Sequence, residues 1–217
     1  MFSDRQEAAG KLADRLQAYR YRNPLVLAIP RGAVAMARLI AQRLGGEFDV
    51  VLVRKLRAPQ RSELAVGSVN ETGWSWVAPH AVAYGADAAY LKSEKKEQMQ
   101  TIRKRRAQYT PWRAPIDPQG RLVIVVDDGL ATGATMIAAL QALRASKPAQ
   151  LICAVPVSPP DALDRISGMA DAVICLERPA DFQAVGQFYR DFPQVEDAEV
   201  VEWLKPAQAG LGPRNKQ

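Results

Sequence analysis

What most constrains this chain is a set of short apolar runs, Leu25–Ile29, Phe48–Val53, Leu122–Val126, Leu151–Val155 and Ala172–Leu176, set apart by stretches of helical character. Ala33 to Leu44 carries apolar residues at helical spacing and closes on Gly45-Gly46, so it reads as a helix with a C-terminal glycine stop. A strand, a helix and a strand joined by so short a crossover lie side by side and parallel. The alternation resumes with a strand at Leu122–Val126 and helices at Gly133–Ala145 and Asp161–Met169, set between the strands Leu151–Val155 and Ala172–Leu176. The expected fold class is α/β, an open and mainly parallel sheet with helices on both faces.

The flanks and the middle are less regular. Ser3 with Gln6 resembles a capping box, and Leu12, Leu16 and Tyr19 place a helix over residues 4 to 20. Residues 54 to 72 lose periodicity and read as a long loop. Its far end, Leu64–Val69, pairs with Trp74–Val77 across Glu71-Thr72-Gly73 as a hairpin. Asp87 to Tyr109 is expected as a helix with a thin apolar stripe (Leu91, Met99, Ile102) and a basic last turn, Arg103-Lys104-Arg105-Arg106. Cations suit a helix C-terminus, and a solvated face is the preferred reading of this cluster over nucleic-acid binding. Pro111–Gly120 is a connector, Glu196–Leu204 a final helix, and Pro206–Gln217 a polar tail expected to be disordered.

A chain of 217 residues fits one domain, here 1–205, and buries a core without disulfides. Cys153 and Cys175 each sit inside an apolar strand and read as small core residues; the lone histidine, His80, is remote in sequence, and no metal-ligand spacing occurs. No apolar run reaches membrane-spanning length, and Met1 to Glu7 is polar and charged, unlike a signal peptide, so the cytoplasm is the expected location. The net charge of +6, from 29 basic and 23 acidic residues, suits an acidic ligand, whether a phosphorylated sugar or nucleic acid.

The chemistry concentrates in Leu122 to Thr135, which reads LVIVVDDGLATGAT. A buried strand ends in two carboxylates, Asp127 and Asp128, and ligands of open α/β sheets bind at the carboxyl ends of strands. A small hydroxyl-bearing turn, Ala131-Thr132-Gly133-Ala134-Thr135, then opens a helix, and backbone amides at a helix start make an anion cradle. Acceptors for sugar hydroxyls thus lie beside donors for a phosphate. A Mg²⁺ pair of a nucleotide hydrolase would want a P-loop, and an esterase a G-x-S-x-G elbow; neither motif occurs.

This segment closely resembles the phosphoribosyl-pyrophosphate motif of type I phosphoribosyltransferases. The resemblance implies that Asp127 and Asp128 hold the ribose 2- and 3-hydroxyls and that Ala131, Thr132, Gly133, Ala134 and Thr135 wrap the 5-phosphate. A second match is Ala28-Ile29-Pro30-Arg31-Gly32-Ala33-Val34, after the first strand. In the family this loop binds pyrophosphate and often contains an unusual peptide conformation, which assigns Arg31, Gly32 and Ala33 to pyrophosphate; an ordinary turn is the alternative. Arg54 and Lys55 fall where the family often has a basic residue near the pyrophosphate, and Lys55 joins Asp127 and Asp128 as the residues expected to carry the chemistry. The stretch from Leu56 corresponds in position to a flexible loop over the site, about 56–72, without a residue-by-residue match for Arg57, Arg61, Ser62 or Glu63.

Residues 1–20 and 178–205 are expected to form a small hood on a core of about 20–180. Within it, Phe182 to Phe192 loosely echoes the hood of hypoxanthine-type enzymes; its aromatic residues either stack on a base or simply close the core. From about residue 2 to 204 the chain is also similar to a group of bacterial predicted phosphoribosyltransferases, some fused to hydrolase domains. The family implies an enzyme that uses 5-phosphoribosyl 1-pyrophosphate and Mg²⁺ to transfer a phosphoribosyl group to a nucleobase or related nucleophile, commonly as a homodimer, with the acceptor unidentified. Mg²⁺ relies on substrate phosphates and water, so no protein metal ligand is assigned. A regulator on the same fold, binding the donor or a nucleotide and controlling expression through RNA or DNA, is the alternative.

Overall fold

The computed structural model describes residues 1–205. In chain order the elements are α1 (Arg5–Arg15), β1 (Leu25–Ala28), α2 (Ala33–Leu44), β2 (Glu47–Val50), β3 (Val53–Ala58), β4 (Arg61–Asn70), β5 (Ser75–Val77), α3 (Ala88–Tyr109), β6 (Leu122–Val126), α4 (Ala134–Ala145), β7 (Gln150–Val157), α5 (Pro160–Ile166), β8 (Ala172–Glu177) and α6 (Asp197–Leu204). Five strands form a parallel sheet in the order β2-β1-β6-β7-β8. The order changes direction between β1 and β6, so the crevice where a ligand binds such a sheet opens at their carboxyl ends. All nine residues of β1 and β6 are buried, as strands covered on both faces require.

The two faces bury two cores. One gathers Leu12 of α1, Leu16 just after it, and Met36, Ile40 and Leu44 of α2 against Val26, Ile124 and Ile152. The other gathers Met136, Leu140 and Leu143 of α4 against Leu27, Val123, Val125 and Cys153. Both cysteines are buried in strands, and burial pushes both thiols up from their ordinary value. They are core residues rather than nucleophiles.

The stretch expected as a long loop over 54–72 is instead a hairpin. β3 and β4 pair antiparallel across Pro59-Gln60, where Gln60 takes φ 59°, and β5 adds a third strand. The Leu64–Val69 pairing with Trp74–Val77 holds, with Gly67 opposite Val77 and Val69 opposite Ser75. The small sheet is hard to read from sequence because its charged residues serve partners outside it: Arg54 and Arg57 reach Gln98 and Glu94 on α3. A bulge near Leu56 also breaks the alternation of faces. The run expected as one strand over 48–53 splits here, with β2 ending at Val50 and the second sheet starting at Val53.

Other corrections are local. The N-cap of α1 is Asp4, whose Oδ1 accepts from the Glu7 amide at 2.8 Å, rather than Ser3 with Gln6; the Ser3 amide instead donates to the Glu7 carboxylate. The helix ends at Arg15 and a 3₁₀ turn covers Gln17–Tyr19. α5 stops at Ile166, short of Gly168 at φ +82°. The tail from Pro206 lies outside the described residues.

The two chain ends meet. The Phe2 amide donates to the Phe188 carbonyl, and the Arg190 and Asp191 amides donate to the Phe2 and Ser3 carbonyls. Phe2 packs tilted against Tyr189, which stacks on Phe192, with ring centroids 5.4 and 4.8 Å apart. This places α1 and the segment before α6 together, above the carboxyl end of β6. No helix among the described residues is long and apolar enough to cross a membrane.

Candidate active site

Asp127 and Asp128 follow β6 directly and sit at the carboxyl end of the sheet. The Asp128 amide donates to Asp127 Oδ1 at 2.9 Å, and Arg5 Nε donates to Asp128 Oδ2 at 2.8 Å. Among the described residues, Asp127 Oδ2 and Asp128 Oδ1 accept no hydrogen bond. One acceptor oxygen therefore remains on each of two adjacent carboxylates. Burial pushes Asp127 well above the ordinary carboxylate value, and the neighbouring Asp128 charge pushes the same way. Burial also raises Asp128, with the Arg5 hydrogen bond and charge working against it.

Ala131, Thr132 and Gly133 form the turn before α4. Gly133 takes φ 72° at the N-cap, a conformation that costs glycine little. Among the described residues, the amides of Ala131, Thr132 and Gly133 donate to no protein acceptor, while Ala134 N donates to Thr132 Oγ1 at 3.4 Å. Ala131, Thr132 and Thr135 are exposed. Free amides at a helix start, with hydroxyls beside them, suit an anion.

A cleft of about 300 Å³ lies between the start of α4 and the small sheet, and Thr135 lines it together with Ile29, Pro30, Arg54, Lys55 and Arg105. Arg57 and Gln98 also face it. The cleft thus holds a cluster of cations, and burial together with the Arg105 and Arg57 charges lowers Arg54 from the usual guanidinium value. An anion of high charge density would relieve that repulsion.

The loop after β1 is divided between two sides. Ile29 and Pro30 face the cationic cleft, whereas Arg31 and Gly32 line a separate hollow with Arg5, Phe192, Pro193, Gln194 and Val195. The Arg31 guanidinium lies 3.4 Å from Glu196 at the start of α6, and Ala33 is fully buried as the first residue of α2. The Pro30–Arg31 peptide is cis. A Cβ on Gly32 would lie 2.0 Å from Asp128 Oδ2 and 3.0 Å from Arg5 Nε, so this loop approaches the carboxylate as closely as only glycine permits.

The basic turn of α3, expected as a solvated face, divides by function. Arg106 is structural: its guanidinium donates to Glu71, to Asp49 and to the Val50 carbonyl, and its side chain is 12% exposed. Arg105 lines the cleft. Sequence reasoning missed Arg5, Arg105 and Gln98. Arg105 and Gln98 come from a helix whose periodicity says nothing of which end meets the site, and Arg5 lies 123 positions from the carboxylate that it touches. For the aromatic segment, Phe2 and Tyr189 are 1% and 5% exposed, so at those positions the rings close the core. The Tyr189 hydroxyl donates to the Asp128 carbonyl at 2.7 Å, and Phe192 lies under the Arg5 guanidinium with 3.7 Å to the ring centroid.

Comparison with known proteins gives the family. The model of the phosphoribosyl transferase domain matches residues 4–193. Two proteins of Mycobacterium tuberculosis, from strains CDC 1551 and H37Rv, each carry the name "Putative phosphoribosyl transferase" and are 41% identical over 209 residues. The matched region is 95% of this chain and 47% of theirs, so the chain spans about half the length of these curated relatives. The crystal structure of TT1426 from Thermus thermophilus is similar at a TM-score of 0.85 and 44% identity, covering 94% of this chain and 97% of that one. With the family model spanning nearly all of the described residues, this chain belongs to the phosphoribosyl transferase family.

Proposed function

We propose that the chain is a type I phosphoribosyltransferase that binds 5-phosphoribosyl 1-pyrophosphate at the carboxyl ends of β1 and β6 and transfers its phosphoribosyl group to a nucleobase or related nucleophile, releasing pyrophosphate. The observation that carries this reading is Thr135, in the first turn of α4 just after the Ala131–Gly133 turn, which also lines the cationic cleft. The two carboxylates and the turn follow β6 directly, and the cleft flanks the first turn of α4, which together support a site for a molecule with a phosphate, two vicinal hydroxyls and a second highly charged group.

In this reading Asp127 Oδ2 and Asp128 Oδ1 accept from the ribose 2- and 3-hydroxyls, and the amides of Ala131 to Thr135 donate to the 5-phosphate. Pro30, Arg54, Lys55 and Arg105 face the pyrophosphate. The transition state develops positive charge on the ribose ring and negative charge on the leaving group, as in glycoside cleavage. Fixed cations aimed at the leaving group stabilise that separation without reorganising at the moment of reaction. The free carboxylate oxygens of Asp127 and Asp128 beside the anion turn fit a Mg²⁺ that takes its other oxygens from the donor's phosphates and hydroxyls and from water. When bound with the donor, Mg²⁺ would supply further neutralisation of the leaving pyrophosphate.

The regulator reading rests on a free basic face on α3. Arg106 is engaged in the core and Arg105 in the cleft, which leaves that face weaker than the sequence implies.

The test is pyrophosphate release from the donor with Mg²⁺, across purines, pyrimidines, orotate and nicotinate. Release dependent on one acceptor would name the substrate. Donor binding without release across the whole panel would turn the assignment toward the regulator. Gly32→Ala bears on the same site. The added methyl would push the Asp128 carboxylate off Arg5 Nε, so the donor affinity is expected to fall about tenfold, consistent with disturbing one charged hydrogen-bond acceptor, and thermal stability to fall with the loosened hood contact. Isothermal titration with the donor checks this.

A further inference from the structure

We infer that Arg5, on the first helix, is a positioning residue for the donor: it orients the Asp128 carboxylate and fastens the hood to the ribose end of the site. The inference rests on the transferase reading above and deepens it.

Four contacts converge here. Arg5 Nε donates to Asp128 Oδ2 at 2.8 Å, and Nη1 donates to the Pro193 carbonyl at 2.9 Å. The guanidinium plane lies over Phe192, 3.7 Å from its centroid. The Tyr189 hydroxyl donates to the Asp128 carbonyl at 2.7 Å. The side chains of Arg5 and Asp128 are 13% and 17% exposed, so the pair is largely withdrawn from water, where a charge-assisted hydrogen bond gains strength. Gly32 closes the third side, since its Cα stands where a Cβ would strike Oδ2.

The consequence lies in which oxygen is taken. With Oδ2 held by Arg5, the carboxylate cannot turn, and Oδ1 is the acceptor left for a ligand. Asp127 is fixed in the same manner by the Asp128 amide on its Oδ1. Two acceptor oxygens are thus presented in a fixed relation, the arrangement that two vicinal hydroxyls need. The Arg5 hydrogen bond and charge also work against the burial that raises the Asp128 pKa, favouring its ionised, accepting form. Because Arg5 also holds Pro193 and Phe192, loosening the hood and misaligning Asp128 become one event.

The experiment compares ligands that have ribose hydroxyls with one that has none. Binding of 5-phosphoribosyl 1-pyrophosphate, ribose 5-phosphate and pyrophosphate is measured by titration calorimetry with Mg²⁺ on the full chain and on Arg5→Met and Arg5→Lys. Arg5→Met is expected to weaken the two ribose ligands about tenfold or more and to leave pyrophosphate within about twofold, since one charged hydrogen bond is lost at the hydroxyl end only. Arg5→Lys, which keeps the charge and loses the fork, should recover part of that loss.

Phe192→Leu leaves the ion pair and removes the ring beneath it, and should give a smaller loss of the same selectivity. It serves as the test should Arg5→Met not fold. Equal weakening of all three ligands would show general destabilisation and overturn the inference. Unchanged ribose affinity in Arg5→Met, or in Phe192→Leu where that variant stands in, would overturn it as well, with the transferase reading intact. A wild-type chain that binds no donor would overturn both.

Discussion

Asp127→Asn is expected to lose donor use while gaining stability. Asp127 has no cationic partner of its own; it is half-buried next to Asp128, and both its withdrawal from water and that neighbour raise its pKa. An asparagine keeps an Oδ1 for the Asp128 amide and removes the charge. The charge-assisted hydrogen bond to a ribose hydroxyl is then lost, about 1.5–3 kcal/mol, or roughly ten- to a hundredfold in kcat/KM for the donor.

Stability should move the other way, and its pH dependence has a definite sign. A carboxylate whose folded pKa is raised above its unfolded value, about 3.9, penalises the folded state progressively as the pH rises from the unfolded to the folded value, and fully above that. Asparagine escapes that penalty. The variant should therefore melt higher than wild type at neutral pH, and the difference should shrink toward zero as the pH falls below about 4. Thermal melts across pH, beside steady-state kinetics, check both halves. Lower stability together with unchanged kinetics would mean that Asp127 is part of the core and not of the site.

Arg106→Met is expected to be the most damaging single change away from the site. Arg106 donates to Asp49 at 2.9 Å and to both Glu71 oxygens at 2.8 and 2.7 Å, and Asp49 is 1% exposed. Burial would raise the Asp49 carboxyl, but the Arg113 hydrogen bond and the Arg106 and Arg113 charges outweigh it and hold it below the usual value. Burial pushes Glu71 up, with Arg106 only partly offsetting it.

Removing Arg106 leaves Glu71 without its cation and Asp49 with Arg113 alone, and breaking a buried ion-pair network of this kind costs about 3–5 kcal/mol. Because the Asp49 pKa is depressed, its contribution is present above the unfolded value of about 3.9 and is lost as the pH falls through the folded value. The deficit of Arg106→Met should accordingly be largest near neutrality and narrow in acid. Urea denaturation at several pH values measures it. A deficit under about 1 kcal/mol at neutral pH, the scale of a surface pair, would place these charges effectively in solvent.

The sequence by itself determined the framework. Apolar runs such as Leu122–Val126 and Leu151–Val155, with helices between them, dictate a parallel sheet, because a short crossover permits no other pairing. It also placed Asp127, Asp128 and the Ala131–Thr135 turn, since a strand end, its carboxylates and the following helix start are contiguous in the chain and local rules position them.

The tertiary structure alone decided what closes on that frame. Arg5 reaches Asp128 from the other end of the chain, and the ends are held by the Phe2 and Ser3 pairing with residues 188–191, which no local pattern encodes. Arg105 and Arg106 are adjacent and look alike, yet one lines the cleft and the other is buried on Asp49 and Glu71. Arg31, grouped with pyrophosphate on the strength of its loop, directs its guanidinium toward Glu196, leaving Pro30 at the cleft. The β3–β4 hairpin escaped detection because its charged side chains are paired with α3, and charge is read as solvent exposure until the partner is known. Long-range ion pairs are chosen by geometry, and only the folded chain carries that geometry.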